Sequence, residues 1–356
     1  MAEWSNALDS KSREQVTVPQ VQILYLAPIN GKGLFFMTKS KKSVWVNIIT
    51  VVTTIIMAIG LVLGVAFYVN NYTVAIITNH NTRDTLLDGR GKTARVILLA
   101  GQSNAAGCSR NEYLKNNISA ELYADYEDGF ENVYINSKVT YYTNDTGAFV
   151  KTNTGMGDAD YLFGPEVGMA ARLNKKFPNE VFFIIKYAWS GSSMPLIWES
   201  PSTNGTAGQL YTPFVEHVRN SVRYLEYKNY DVQIDGLCWM QGESDAMGEE
   251  IDAYNYRTYL GNFVNDIRNE FDDYASDSGI RFIDAYISDS PYWPHYVMLN
   301  ASKDYVASLS NLNYVVDTIG HGLRYDQEPY GNVDTAHYDS LSELKLGILF
   351  VEYLYD

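Results

Sequence analysis

The apolar positions of this chain divide it into two parts. From Val44 to Val69 it runs 26 residues without a charge, rich in Val, Ile, Leu and Met. That is enough helix to cross a hydrocarbon layer of about 30 Å with some tilt. A core helix of that length would need more of a polar face than Asn47, Thr50, Thr53 and Thr54 supply. From Ala94 onward the apolar runs are short, and a loop and then a helical pattern follow. The first run, Val96 to Ala100, stops at Gly101-Gln102-Ser103-Asn104, as a strand covered on both faces would before a loop. Val181–Lys186, Val232–Met240, Ile280–Ile287 and Tyr314–Ile319 complete five predicted strands. Helices are predicted from Gly164-Pro165-Glu166 onward, where proline suits the first turn, and over Leu210–Tyr227, Glu250–Tyr274, Tyr296–Leu309 and Tyr338–Tyr355. This alternation over about 260 residues predicts a parallel sheet with helices on both faces.

Charge adds a direction to the first part. Residues 1–43 are net +3 and the remainder is −18, and four lysines precede the apolar run within a dozen residues. The positive-inside rule then makes 1–43 a cytoplasmic tail, 44–69 a retained signal anchor rather than a cleaved peptide, and everything beyond it lumenal or extracellular. Residues 70–93 read as a polar stalk. Asn71, Asn117, Asn144, Asn204 and Asn300 each begin an Asn-x-Ser/Thr sequon, compatible with a glycoprotein on that side. The overall charge of −15 argues against nucleic acid as a partner, because phosphates would be repelled at long range. Cys108 and Cys238 are too few for a disulfide scaffold or a cysteine zinc site; one bridge or two buried thiols remain open.

The domain itself, residues 94–356, holds a long insertion, Ala105 to Tyr161, rich in Tyr, Asn and Gly. Short alternating segments within it, such as Val133-Tyr134-Ile135 and Val139-Thr140-Tyr141, predict small β-structure. In a parallel α/β sheet the loops at the carboxyl ends of the strands converge on one rim. Here those loops carry Gly101-Gln102-Ser103-Asn104, Trp189-Ser190-Gly191-Ser192-Ser193, Gln241-Gly242-Glu243-Ser244-Asp245 and Asp334-Thr335-Ala336-His337. A serine, a glycine turn, a side-chain amide, a histidine and a carboxylate are the inventory for acyl transfer by a serine nucleophile. Asp334, three residues before His337, can bond its Nδ1–H and leave Nε2 to take a serine proton. The alternative is that Asp334 caps the last helix. His321 is the rival base. A two-carboxylate glycosidase built on Glu243 and Asp245 is rejected in favour of a loop-holding role. No His/Asp/Glu cluster has metal-ligand spacing, and no cofactor is called for.

The blocks GQSN, FGPEVGMAARL, SGSS, WMQGESDA and DTAHYD, in this order, resemble the SGNH hydrolases, and within them the sialate O-acetylesterase-like and acetyl xylan esterase-like carbohydrate esterases. The resemblance covers Ala94 to Asp356. With it the expected fold is an α/β, flavodoxin-like three-layer α/β/α sandwich with a five-stranded parallel sheet, preceded by one transmembrane helix. It implies Ser103 as nucleophile, His337 as base and Asp334 as its orienting acid. The implied oxyanion donors are the backbone N–H groups of Ser103 and Gly191 and the side-chain amide of Gln241, with Gln102, Asn104 and Glu243 in support. Ser190 departs from the pattern, since close relatives usually carry two adjacent glycines there. The expected function is a type II membrane-anchored O-acetylesterase acting on acetylated sugars through an acyl-enzyme. A lipid or thioester hydrolase of the same superfamily and a catalytically silent glycan-binding protein are the alternatives.

Overall fold

The computed structural model describes residues 50–63, 86–139 and 144–356. Two compact units are distinguished, Met1–Leu63 and Gly64–Asp356. Of the predicted span 44–69, residues 50–63 are described, and they form a helix whose side chains are exposed, Ile56 and Leu61 among them. Positions 44–49 and 64–69, the tail 1–43 and residues 70–85 of the stalk lie outside the described residues. Among the described residues no helix is long and apolar enough to cross a membrane.

Strand β1 (Thr93–Gly101) organises the second unit. Val96 to Ala100 are completely buried, because β6 (Val181–Ala188) pairs with β1 on one side and β7 (Asp231–Met240) on the other, both parallel. A strand covered in this way has no face to spare for polar residues, hence its unbroken apolar run. Parallel pairing continues from β7 through β8 (Arg281–Ala285) to β9 (Asn313–Val316). The five predicted strands thus lie in the order β6-β1-β7-β8-β9. Chain order reverses at β1, and an open α/β sheet leaves its crevice at such a switch point.

The sheet has seven strands rather than the expected five. The insertion contributes β3 (Val133–Val139), parallel to β6, and β4 (Val150–Lys151), antiparallel to β3 at the sheet's edge. Val133, Ile135 and Val139 are buried, so the first alternating segment, Val133–Ile135, becomes part of a full strand once β6 offers an unpaired edge, while Thr140 and Tyr141 of the second lie outside the described residues. A separate two-stranded ladder joins β2 (Ser109–Arg110) to β5 (Leu162–Phe163).

Helices α1 (Pro165–Lys176), α2 (Tyr211–Tyr227), α3 (Glu250–Glu270), α4 (Tyr296–Ser308) and α5 (Ser340–Tyr355) match the predicted ones within a few residues. The last begins two residues later than expected, and the Asp334–His337 segment lies in the loop before it. Helices α1 and α5 cross closely through glycines: a Cβ on Gly168 would lie 2.0 Å from the Leu344 carbonyl, and one on Gly347 2.0 Å from the Pro165 carbonyl. This crossing seats α5, and hence the loop before it. The end of the predicted stalk belongs to the domain, since Leu86 is buried and the Gly89 N–H donates to the Lys228 carbonyl at 2.7 Å. Both cysteines are free, Cys238 buried in β7 and Cys108 part-exposed.

Candidate active site

Gly101 closes β1 at φ +144°, and a Cβ there would stand 1.9 Å from the Met240 carbonyl. Only glycine lets the ends of β1 and β7 approach this closely. The Gln102 N–H then donates to Met240 O at 2.9 Å, and the chain turns into a four-residue helix beginning at Ser103. Ser103 is 8% exposed. Its backbone N–H, in the first turn, has no intrahelical acceptor. Among the described residues the Ser103 hydroxyl makes no hydrogen bond.

The other three loops reach this turn through hydrogen bonds. The Trp189 N–H, after β6, donates to Gly101 O at 3.0 Å. After β7, Gln241 Nε2, Gly242 N and Ser244 N all donate to Gln102 Oε1, at 3.2, 3.3 and 3.3 Å. The loop before α5 attaches through the Tyr338 N–H, which donates to Asn104 Oδ1 at 3.1 Å. Asn104 Nδ2 in turn donates to Glu243 Oε1 at 2.7 Å. Gln102, Asn104 and Glu243 are therefore the joints between loops.

His337 and Asp334 meet as the spacing predicts, Nδ1 to Oδ2 at 2.6 Å, while the Ala336 N–H holds the other Asp334 oxygen at 3.0 Å. Asp334 does not cap α5; Asp339 stands at that position. Burial is the largest influence and works to raise the Asp334 carboxyl, but the His337 bond and charge, the Ala336 N–H and the Arg110 charge together outweigh it and the carboxyl is lowered. For His337 burial disfavours the imidazolium, while Cys108, within hydrogen-bonding reach, and Asp334 favour it; the outcome is raised above the ordinary value. Burial raises the Cys108 thiol too, so it stays protonated at neutral pH and the Asp334 carboxylate is the charge that acts. His321 lies apart from this cluster, its ring edge-on to Tyr353.

Gly191 takes φ +73° in an exposed turn. Ser190 beside it donates to Asp158 Oδ2 at 2.5 Å, and Asp158 Oδ2 lies 4.0 Å from the Cys108 thiol. Gln241 is completely buried, and Nε2 also donates to Ser192 O at 2.9 Å and to Asp245 Oδ2 at 2.6 Å. Both amide hydrogens are committed, so acting as an oxyanion donor would cost Gln241 one of these bonds. Burial pushes Asp245 up to about 7 despite the Gln241 and Met194 donors. A cleft of about 510 Å³ opens beside His337, with Arg110, Tyr113, Tyr161 and Tyr292 in its walls.

Several of these groups escaped sequence reasoning. Lys186 and Glu166 form a completely buried ion pair at 2.8 Å, with Lys186 also donating to Met156 O at 3.0 Å. Its signal is a lysine inside an apolar strand. Cys108 and Asp158 carry no such local mark.

Residues 93–356 match the model of the family described as carbohydrate esterase, sialic acid-specific acetylesterase. The chain belongs to this family. It is an esterase of the serine-hydrolase type, and its family acts on O-acetylated sugars. Among solved structures it is similar to an Arabidopsis thaliana protein, at 17% identity and a TM-score of 0.53 over 74% of this chain and 98% of that one. It is also similar to NanS, at 14% identity and a TM-score of 0.50 over 74% and 97%. At these identities the likeness concerns the fold alone. A search of curated proteins returned no match.

Proposed function

We propose that this chain is a membrane-anchored carbohydrate esterase that removes O-acetyl groups through an acyl-enzyme on Ser103. The observation carrying this reading is the Asp334–His337 pair, at 2.6 Å, in the wall of a cleft whose loop is bonded to the Ser103 turn. Ser103 attacks the acetyl carbonyl as His337 takes its proton. The oxyanion faces the N–H groups of Ser103 and Gly191, with Gln241 holding the Ser192 carbonyl and so the glycine turn in place. His337 returns the proton to the departing sugar hydroxyl, and a water deprotonated by His337 releases acetate. Hydrogen bonds lengthened in a free enzyme tighten when substrate is bound, which accommodates the unbonded Ser103 hydroxyl.

Arg110, in the cleft wall, makes no salt bridge among the described residues, although its charge also acts on Asp334. A guanidinium there favours an acidic sugar such as a sialic acid over a neutral, xylan-like glycan. The charge-free run 44–69 and the exposed apolar side chains of the helix 50–63 support anchorage in a membrane, with the esterase domain lumenal or extracellular.

Acetate release from O-acetyl sialic acid and from acetylated xylan by the full-length chain and by Ser103→Ala tests the reading. The parent should favour the sialic acid and the variant should be inactive. Equal rates for parent and variant would overturn the serine-esterase mechanism. A preference for long acyl chains would point to a lipid or thioester hydrolase, and binding without turnover to a silent glycan-binding protein.

A further inference from the structure

We propose that Asn104 is the positioning residue that sets the Ser103 hydroxyl against the His337 imidazole, clamping the base-bearing loop to the nucleophile's own turn. The inference rests on the serine-esterase reading. Asn104 directly follows Ser103 in the turn and is 3% exposed. Its two bonds have opposite polarity: Oδ1 accepts from the N–H of Tyr338, the residue after His337, and Nδ2 donates to the Glu243 carboxylate. The amide therefore has one orientation, and neither a carboxylate nor an aliphatic group can make both bonds.

Besides Cys108, which lies within reach of the His337 ring, the Asn104 amide is the side chain next to Ser103 that holds the base-bearing loop. The base sits on a loop, its side chain 25% exposed and that of Asp334 46% exposed. The other bonds of Tyr338 lead elsewhere: its hydroxyl donates to Tyr286 O and Thr318 Oγ1, and its backbone carbonyl accepts from the Ser109 hydroxyl, beyond the turn. On the far side of the clamp, the second Glu243 oxygen is buried without a partner. Among the described residues Asn104 thus supplies that carboxylate's one side-chain donor, and the loop after β7 is held by the same amide.

The test is a polarity reversal. Asn104→Asp keeps the acceptor for the Tyr338 N–H but sets two carboxyl groups face to face at Glu243. Its kcat on p-nitrophenyl acetate should fall about 100-fold, the scale of a 1 Å misplacement, with KM within about threefold of the parent. Labelling of Ser103 by a fluorophosphonate, which needs the serine and its base but no sugar contact, should slow in the same proportion. In Asn104→Asp/Glu243→Gln the new amide can donate to the new carboxylate, so kcat and labelling should return to within about tenfold of the parent. Where the single variant fails to fold, the double variant decides. Parental kcat in Asn104→Asp, or a folded double variant as slow as the single one, would overturn the inference. Turnover by Ser103→Ala would instead sink the serine-esterase reading itself, whatever Asn104 does.

Discussion

Asp334→Asn separates the charge of the acid from its shape. The amide can still accept from His337 Nδ1, so the ring keeps a partner, but the imidazolium formed during acyl transfer loses its counter-charge. Charge centres about 4 Å apart attract by about 4 kcal/mol near a protein surface and about 1 kcal/mol in bulk water. With exposures of 25% and 46%, the His337–Asp334 pair lies between these limits. A value of about 2–3 kcal/mol corresponds to a loss of about 30- to 150-fold in kcat/KM. The pH profile gives an independent sign. Activity requires neutral His337, whose pKa is raised, so the parent's acid limb should have its midpoint above the ordinary histidine value of about 6.5. Removing the carboxylate lowers that midpoint, and the variant's deficit should narrow as pH falls. Turnover of p-nitrophenyl acetate from pH 5 to 9 measures both quantities. A variant plateau within threefold of the parent, or a midpoint that stays in place, would refute the assignment of Asp334.

Lys186→Met should destabilise the domain by about 3–5 kcal/mol, because Glu166 would be left charged and completely buried without its partner. At about 2–4 °C per kcal/mol in thermal melts, the loss is roughly 6–20 °C, smaller in Lys186→Met/Glu166→Gln; a drop under 2 °C would remove the pair from the stability argument. For the membrane anchor, the full-length chain should stay in the pellet after alkaline carbonate extraction of expressing cells, and deletion of residues 44–69 should release it. Release of the intact chain would count against anchorage.

Much of the rim was legible because strand and helix periods are local. The run Val96–Ala100 followed by Gly101 and Ser103 is a buried strand and its loop, and the Asp334–His337 bond spans three residues. The sheet's width was not, since β3 is a strand only because β6 leaves an edge for it, and nothing in Val133–Val139 specifies that edge.

From the sequence alone came five of the seven strands, the loops that follow them and the Asp334–His337 contact, each written in neighbouring residues. Tertiary structure alone decided what those groups touch: Asn104 meeting Tyr338 across 234 positions and Glu243 across 139, Lys186 meeting Glu166 inside the core, and Cys108 beside the base. Burial leaves a periodic mark on a short stretch of chain, whereas a hydrogen bond between distant loops leaves none, because its partner is chosen by where the backbone has already been placed.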